Sequence, residues 1–150
     1  MESIFDSSAN AKLLSRIDSL TPQSQALWGK MTVDKMLAHC QQSFRSAKGE
    51  LNLKRNLIGF LFGKMIKKKM IADDAPLVRN SPTEPHFIIT DNRDFETEKT
   101  KLKVLISEMS ERGSAAIGDQ THPFFGPMST SDWDVLLMKH TDHHLRQFGV

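Results

Sequence analysis

The sequence is poor in cysteine: Cys40 is the only one in 150 residues. A single thiol excludes an intramolecular disulfide and a cysteine-rich zinc site. It is the pattern expected in a reducing compartment. Excess charge of one sign is also lacking. The formal net charge of +2 is too small to argue for nucleic acid or a membrane as the main partner. No stretch reaches the roughly 18 apolar residues that a spanning helix needs. The most apolar run, Asn56 to Ile66, is shorter and is followed by Lys67-Lys68-Lys69. Met1-Glu2-Ser3-Ile4-Phe5-Asp6 lacks the basic region and apolar run of a secretory signal. Internal repeats and low-complexity stretches are missing as well. These absences predict a cytoplasmic protein with neither nucleic acid nor membrane as its partner.

What remains is an ordinary globular composition, 39% hydrophobic and 25% charged, in a chain of single-domain length that can bury a core without covalent staples. Five segments read as helical. The first runs from about Asn10 to Leu20, with Leu13, Leu14, Ile17 and Leu20 at helical spacing, and stops at Thr21-Pro22. The second begins at an N-cap, Thr32, with Asp34 in its first turn. It carries the apolar stripe Val33, Met36, Leu37, Cys40 and Phe44, and Gly49 ends it. The third runs from about Arg55 to Met70. Asp94 caps the fourth, which is lined by Phe95, Leu102, Leu105, Ile106 and Met109 and stopped by Gly113. The fifth starts at Ser129 or Thr130, where Ser129 and Asp132 form a capping box with Asp in place of Glu. Trp133, Leu136, Leu137 and His140 then recur at three- and four-residue spacing.

Two long connections separate these helices, Ala72 to Arg93 and Ser114 to Met128. Loops of that length often carry function. Phe87-Ile88-Ile89-Thr90 allows a short extended piece, but one strand makes no sheet. The predicted fold is all-α: one domain, 1–150, an up-and-down four-helix bundle with an additional short helix and two long loops.

The chemistry concentrates in Lys139-His140-Thr141-Asp142-His143-His144-Leu145-Arg146-Gln147. His140 and His144, four apart, place their rings one turn apart on one helix face. That spacing lets two imidazoles share a metal, and zinc, nickel and iron(II) favour imidazole nitrogen. The competing reading is one core histidine and one solvated one. Thr141 stands where a zincin helix would carry its glutamate base, so protease chemistry is not supported. His39, at the edge of the second helix's apolar stripe, is the natural third ligand, set against a hydrogen-bonded core histidine. Three neutral imidazoles plus water make an open, catalytic type of site.

Met31-Thr32-Val33-Asp34-Lys35-Met36-Leu37-Ala38-His39-Cys40, taken with His140-Thr141-Asp142-His143-His144-Leu145-Arg146-Gln147-Phe148-Gly149, resembles the DinB/YfiT-like superfamily. The similarity is to a branch with a His-Pro-Phe-Phe-Gly loop before the last helix, and it covers most of the chain. It implies a four-helix bundle holding one divalent metal, zinc or nickel first and iron second, on His39, His140 and His144. It also implies activation of a low-molecular-weight thiol (bacillithiol, mycothiol or glutathione in kind) or of water, for attack on a small electrophile. The alternative is a non-catalytic binding or stress-response module with a histidine-lined pocket.

The other polar candidates carry paired readings. His122, in the loop before the fifth helix, is either an acid, base or hydrogen-bond donor beside the metal or part of a simple turn in which Phe124 and Phe125 plug the bundle end. His143 reads as a rim residue and Asp142 as solvated. Gln147 shares the face of His140 and His144. Asp34 is a possible outer acceptor for a ligating imidazole. Cys40 reads as a small buried hydrophobe, Trp28 and Trp133 as packing residues, and His86 as incidental. Lys64, Lys67, Lys68 and Lys69 fit the solvated end of a core helix. A membrane-surface helix or a homodimer face built on Leu57, Phe60, Leu61 and Met65 are the alternatives.

Overall fold

The computed structural model describes residues 2–51, 53–55, 57–118 and 121–150. Asn56, the first residue of the most apolar run, and Met1, the first of the N-terminal segment Met1–Asp6, lie outside the described residues. Five α-helices dominate: α1 (Ser7–Asp18), α2 (Val33–Ala47), α3 (Leu57–Ile71), α4 (Phe95–Arg112) and α5 (Thr130–Gln147). Short 3₁₀ turns cover Pro85–Phe87 and Gly113–Ala116. The chain is therefore predominantly helical. No helix among the described residues is long and apolar enough to cross a membrane.

Side-chain chemistry sets the helix ends. Asp6 caps α1 by accepting from the Ser8 N–H, so the helix begins ahead of Asn10. The Asn10 side chain is then free to donate to the carbonyls of Ile4 and Ile106 in the core. Asp94 caps α4 through the Thr97 N–H. Gly113 closes that helix at φ 56°, a left-handed conformation that costs other residues a Cβ clash. The Ser129–Asp132 capping box starts α5: the Ser129 hydroxyl accepts from the Asp132 N–H at 3.1 Å, and the Asp132 carboxylate accepts from the Ser129 N–H at 3.0 Å. Thr32 holds the N-cap position of α2, but its side chain makes no capping bond there.

Helices α1 and α2 each pack against both α4 and α5. Phe44, Leu13, Ile17, Met36, Leu37, Leu102, Ile106, Met109, Leu137 and Trp133 meet between them, fully buried. Each such side chain contributes roughly 1.5–3 kcal/mol relative to exposure. These are the positions that the three- and four-residue spacing selects.

The two long connections acquire local order. Phe87 closes a 3₁₀ turn and not an extended piece, because Pro85 at the first position fixes its own φ and lacks an N–H to satisfy. In the second connection Thr121–His122 pairs antiparallel with Gly126–Pro127 around the Phe124-Phe125 tip.

The third helix departs from the sequence expectation. It is not a core helix: only Gly59, Gly63 and Met70 are buried, while Leu57, Phe60, Leu61 and Met65 face solvent. Gly59 and Gly63 let the helix backbone lie directly on the Phe124 carbonyl, where a Cβ at either position would collide. Lys67 holds the helix down through Asp132 (2.9 Å) and the Pro127 carbonyl (2.7 Å). The buried Lys139 ammonium on α5 donates to the carbonyls of Met70 (2.7 Å) and Asp73 (2.6 Å). Gly63→Ala should therefore destabilise the protein by about 1–3 kcal/mol despite alanine's better helix propensity, as overpacking does. Urea unfolding checks this, and a stabilised Gly63→Ala would show that the contact with Phe124 yields freely.

Candidate metal centre

His39 sits mid-way along α2, on the side that packs against α5. His140 and His144 stand one turn apart on α5, as their spacing requires. One ring nitrogen from each of the three lies within 4.8 Å of the others. His39 Nε2 and His140 Nε2 are 3.0 Å apart. The ligand–ligand edge of a tetrahedral site with nitrogen at about 2.0 Å is roughly 3.3 Å, so these two atoms already stand at nearly the separation that shared coordination demands. His39 and His144 are buried and His140 is half-buried, so the cluster sits inside the helix packing with His140 its most exposed member.

Each imidazole is held from behind. His39 Nδ1 lies 2.9 Å from the Phe87 carbonyl, which can only accept, so Nδ1 carries the proton and Nε2 presents its lone pair. His144 Nδ1 lies 2.8 Å from Gln147 Oε1, and that amide is itself fixed by donating to the Trp28 carbonyl at 2.8 Å. His144 is thus set in the same tautomer, with Nε2 turned away from Gln147. His140 Nδ1 meets the Ser43 hydroxyl at 3.3 Å. That hydroxyl can donate or accept, so His140 is free to offer Nε2 to a cation or to share a proton with His39. Outer partners that fix tautomer and orientation in this way are the usual companions of metal-bound histidine.

The electrostatics favour neutral ligands. Burial pushes the His39 pKa down, against a smaller upward pull from the Phe87 carbonyl. Burial, then the neighbouring His144 and His39, holds His140 well below the ordinary histidine range. His144 is lowered to about 3, first by burial and next by His39. Divalent cations need neutral imidazoles with a free ring nitrogen, and burial shifts all three toward that neutral form. A set of three neutral nitrogens fits zinc, nickel or iron(II), and three protein ligands are one fewer than a closed tetrahedral site uses.

The remaining sequence candidates take other places. His122 is buried, and its Nδ1 accepts from the N–H groups of Phe124 (3.1 Å) and Phe125 (3.2 Å). Its ring packs against Phe87, Phe125 and Trp133, and burial lowers its pKa to about 3. It stands outside the three-histidine group and reaches it through Phe87, whose carbonyl orients His39. His143 is half-buried with its edge on Trp28, ring centroids 5.7 Å apart. Asp142 is not simply solvated: it bridges Arg16 and Arg146. Asp34 is not the outer acceptor of any imidazole. It accepts from the Arg93 N–H at 3.2 Å, and the Phe87 carbonyl takes the role expected of it. The Cys40 thiol is buried beside Met36, and burial pushes its pKa up, so it stays protonated. His86 pairs with Glu84 at the surface.

Sequence reasoning missed Ser43, Trp28 and Phe87. Ser43 lies four residues after His39, a signal that helical spacing could have supplied. Phe87 and Trp28 act through backbone carbonyls, which carry no residue-type signature. Gln147→Leu should lower metal affinity by about 10–100-fold by releasing the His144 ring. Competition with a chromophoric chelator measures this, and an unchanged affinity would remove Gln147 from the ligand's support.

No family model matches the chain, and no curated protein or solved structure does.

Proposed function

We propose that this chain is a divalent-metal-binding protein whose His39, His140 and His144 hold one zinc or nickel ion, with iron as the lesser choice. We propose further that the centre activates a thiol or water for attack on a small electrophile. The observation that carries this reading is the convergence of three imidazole nitrogens backed by the Phe87 carbonyl, the Gln147 amide and the Ser43 hydroxyl. Helices α1, α4, α2 and α5 contact one another in a closed ring, which supports the up-and-down four-helix arrangement. The order of His39, the hairpin and the His140–His144 pair along the chain supports assignment to the DinB/YfiT-like superfamily.

When bound, the metal supplies Lewis acidity that lowers the pKa of a thiol or water in the open position. The protein's own groups do the rest. Three neutral ligands leave the ion's full positive charge uncompensated, which favours an anionic fourth ligand. Gln147 and Phe87 keep the His144 and His39 rings from turning. His140, the most exposed of the three, marks the side from which a small molecule would approach. His122, neutral at physiological pH, positions the hairpin and Phe87 and is not a cationic acid.

The test is the metal content of protein purified without an affinity tag, followed by cobalt substitution and addition of glutathione. The expected results are about one equivalent of transition metal per chain and a new thiolate-to-cobalt absorption band. Metal-free protein that takes up neither zinc nor nickel would overturn the reading. Metal without the band would leave water as the activated group.

A further inference from the structure

The largest anomaly in the molecule lies away from the histidines. Leu57, Ile58, Phe60, Leu61 and Met65 of α3 are each 63–74% exposed. The helix has spent its inward face on glycine: Gly59 and Gly63 rest on the Phe124 backbone, so nearly every large apolar side chain of the element points outward. A contiguous apolar surface of this kind on a soluble protein marks a docking site.

The charge around it identifies the partner. Residues 51–71 contain six basic residues, Lys54, Arg55, Lys64, Lys67, Lys68 and Lys69, and no acidic one. Lys67 is occupied with Asp132. Among the described residues no carboxylate pairs with Lys54, Arg55, Lys64, Lys68 or Lys69, and all five are exposed. The cations stand at both ends of the apolar face. Two copies of α3 laid together would bring like charges into contact, end against end in either orientation. The same arrangement complements a surface that is apolar in its depth and anionic at its rim. The lysine stems can lie along the apolar layer while their ammonium groups reach the headgroups.

We infer that α3 is an interfacial helix that docks this protein onto anionic lipid surfaces, its exposed apolar side chains in the acyl boundary and its terminal lysines and arginine on the phosphates. At about 1.5 Å per residue the 15-residue helix is some 22 Å long, which suits an element lying in the plane of the interface and cannot serve as a span. The glycine seam and the Lys67–Asp132 bond keep the helix folded against the protein while its outer face remains available. This inference is independent of the metal centre, because α3 contributes no ligand to it.

The experiment is co-sedimentation of the full chain with phosphatidylcholine vesicles, with and without phosphatidylserine, at low and high salt. Leu61→Glu and the Lys68→Glu/Lys69→Glu double variant accompany it. All three substitutions sit on exposed positions, and circular dichroism checks that the fold survives. The expected result is binding to the anionic vesicles only. Leu61→Glu should weaken it by about tenfold or more, and the double variant and high salt should abolish most of it. No binding to anionic vesicles at low salt would overturn the inference. So would a concentration-dependent dimer that Leu61→Glu dissociates, since the covering surface would then be a second copy of this chain.

Discussion

His39→Asn should bind zinc about two to three decades more weakly than the parent protein, whereas His143→Ala should bind it unchanged. Zinc bound by a complete ligand set is worth about 10–16 kcal/mol, so one ligand in four accounts for about 3–4 kcal/mol, which is two to three powers of ten. His39 is the only ligand from α2, and its loss leaves two imidazoles one turn apart on α5, a pair that can hold a cation but cannot enclose it. Asparagine keeps a side-chain donor near the Phe87 carbonyl, so that buried acceptor is not stranded and the loss reports on the metal. His143 is the internal control. It neighbours His144 with ring centroids 5.1 Å apart, yet its ring turns to Trp28 and offers nothing to the cluster. Competition titration with a chromophoric chelator reads both affinities, and urea unfolding confirms that both variants fold. A His39→Asn protein within tenfold of the parent would remove His39 from the ligand set.

The parts of this centre that were legible in the sequence are those governed by helical spacing. His140 and His144 share a face because they are four apart, and His39 points inward because it borders the stripe of Met36, Cys40 and Phe44. Capping chemistry was legible for the same local reason, at Asp94 and at the Ser129–Asp132 box. The outer acceptors were not. Asp34 carries the obvious carboxylate, but the bond to His39 comes from a backbone carbonyl that the Pro85–Phe87 turn carries across from a distant loop. Such a bond depends on tertiary placement and leaves no mark on residue type. Helix α3 failed for a different reason. Apolar content reads as burial only when the helix is held by its large side chains, and here it is held by two glycines. Gly59 and Gly63, four apart, were the signal that the packed face is the small one.

Lowering the pH should unfold the metal-free protein between about pH 5 and 4, and zinc should shift that transition downward. His122 and His144 have folded-state pKa values near 3 against an ordinary value of 6.5, with burial the first cause in both. The unfolded chain therefore binds more protons throughout that interval. Stability is full above pH 6.5 and is lost as pH falls toward the folded-state values. Each group contributes a slope of about 1.4 kcal/mol per pH unit, so the pair removes roughly 5 kcal/mol between pH 6.5 and 4.5. That is the whole stability of many domains of this size, about 5–15 kcal/mol, and the lowered His39 and His140 act in the same direction. Urea midpoints at pH 7, 6 and 5 measure the slope. His122→Asn should be less stable at pH 7, because a tightly packed ring is lost, and should show a shallower dependence on pH by about one proton. A cation on the three-histidine group would hold those imidazoles deprotonated, so the zinc-loaded protein should keep its pH 7 midpoint to lower pH while the His122 share of the slope persists. A midpoint that stayed flat from pH 7 to 5 in the metal-free protein would show that these histidines are charged in the folded state. The neutral ligand set would fall with it.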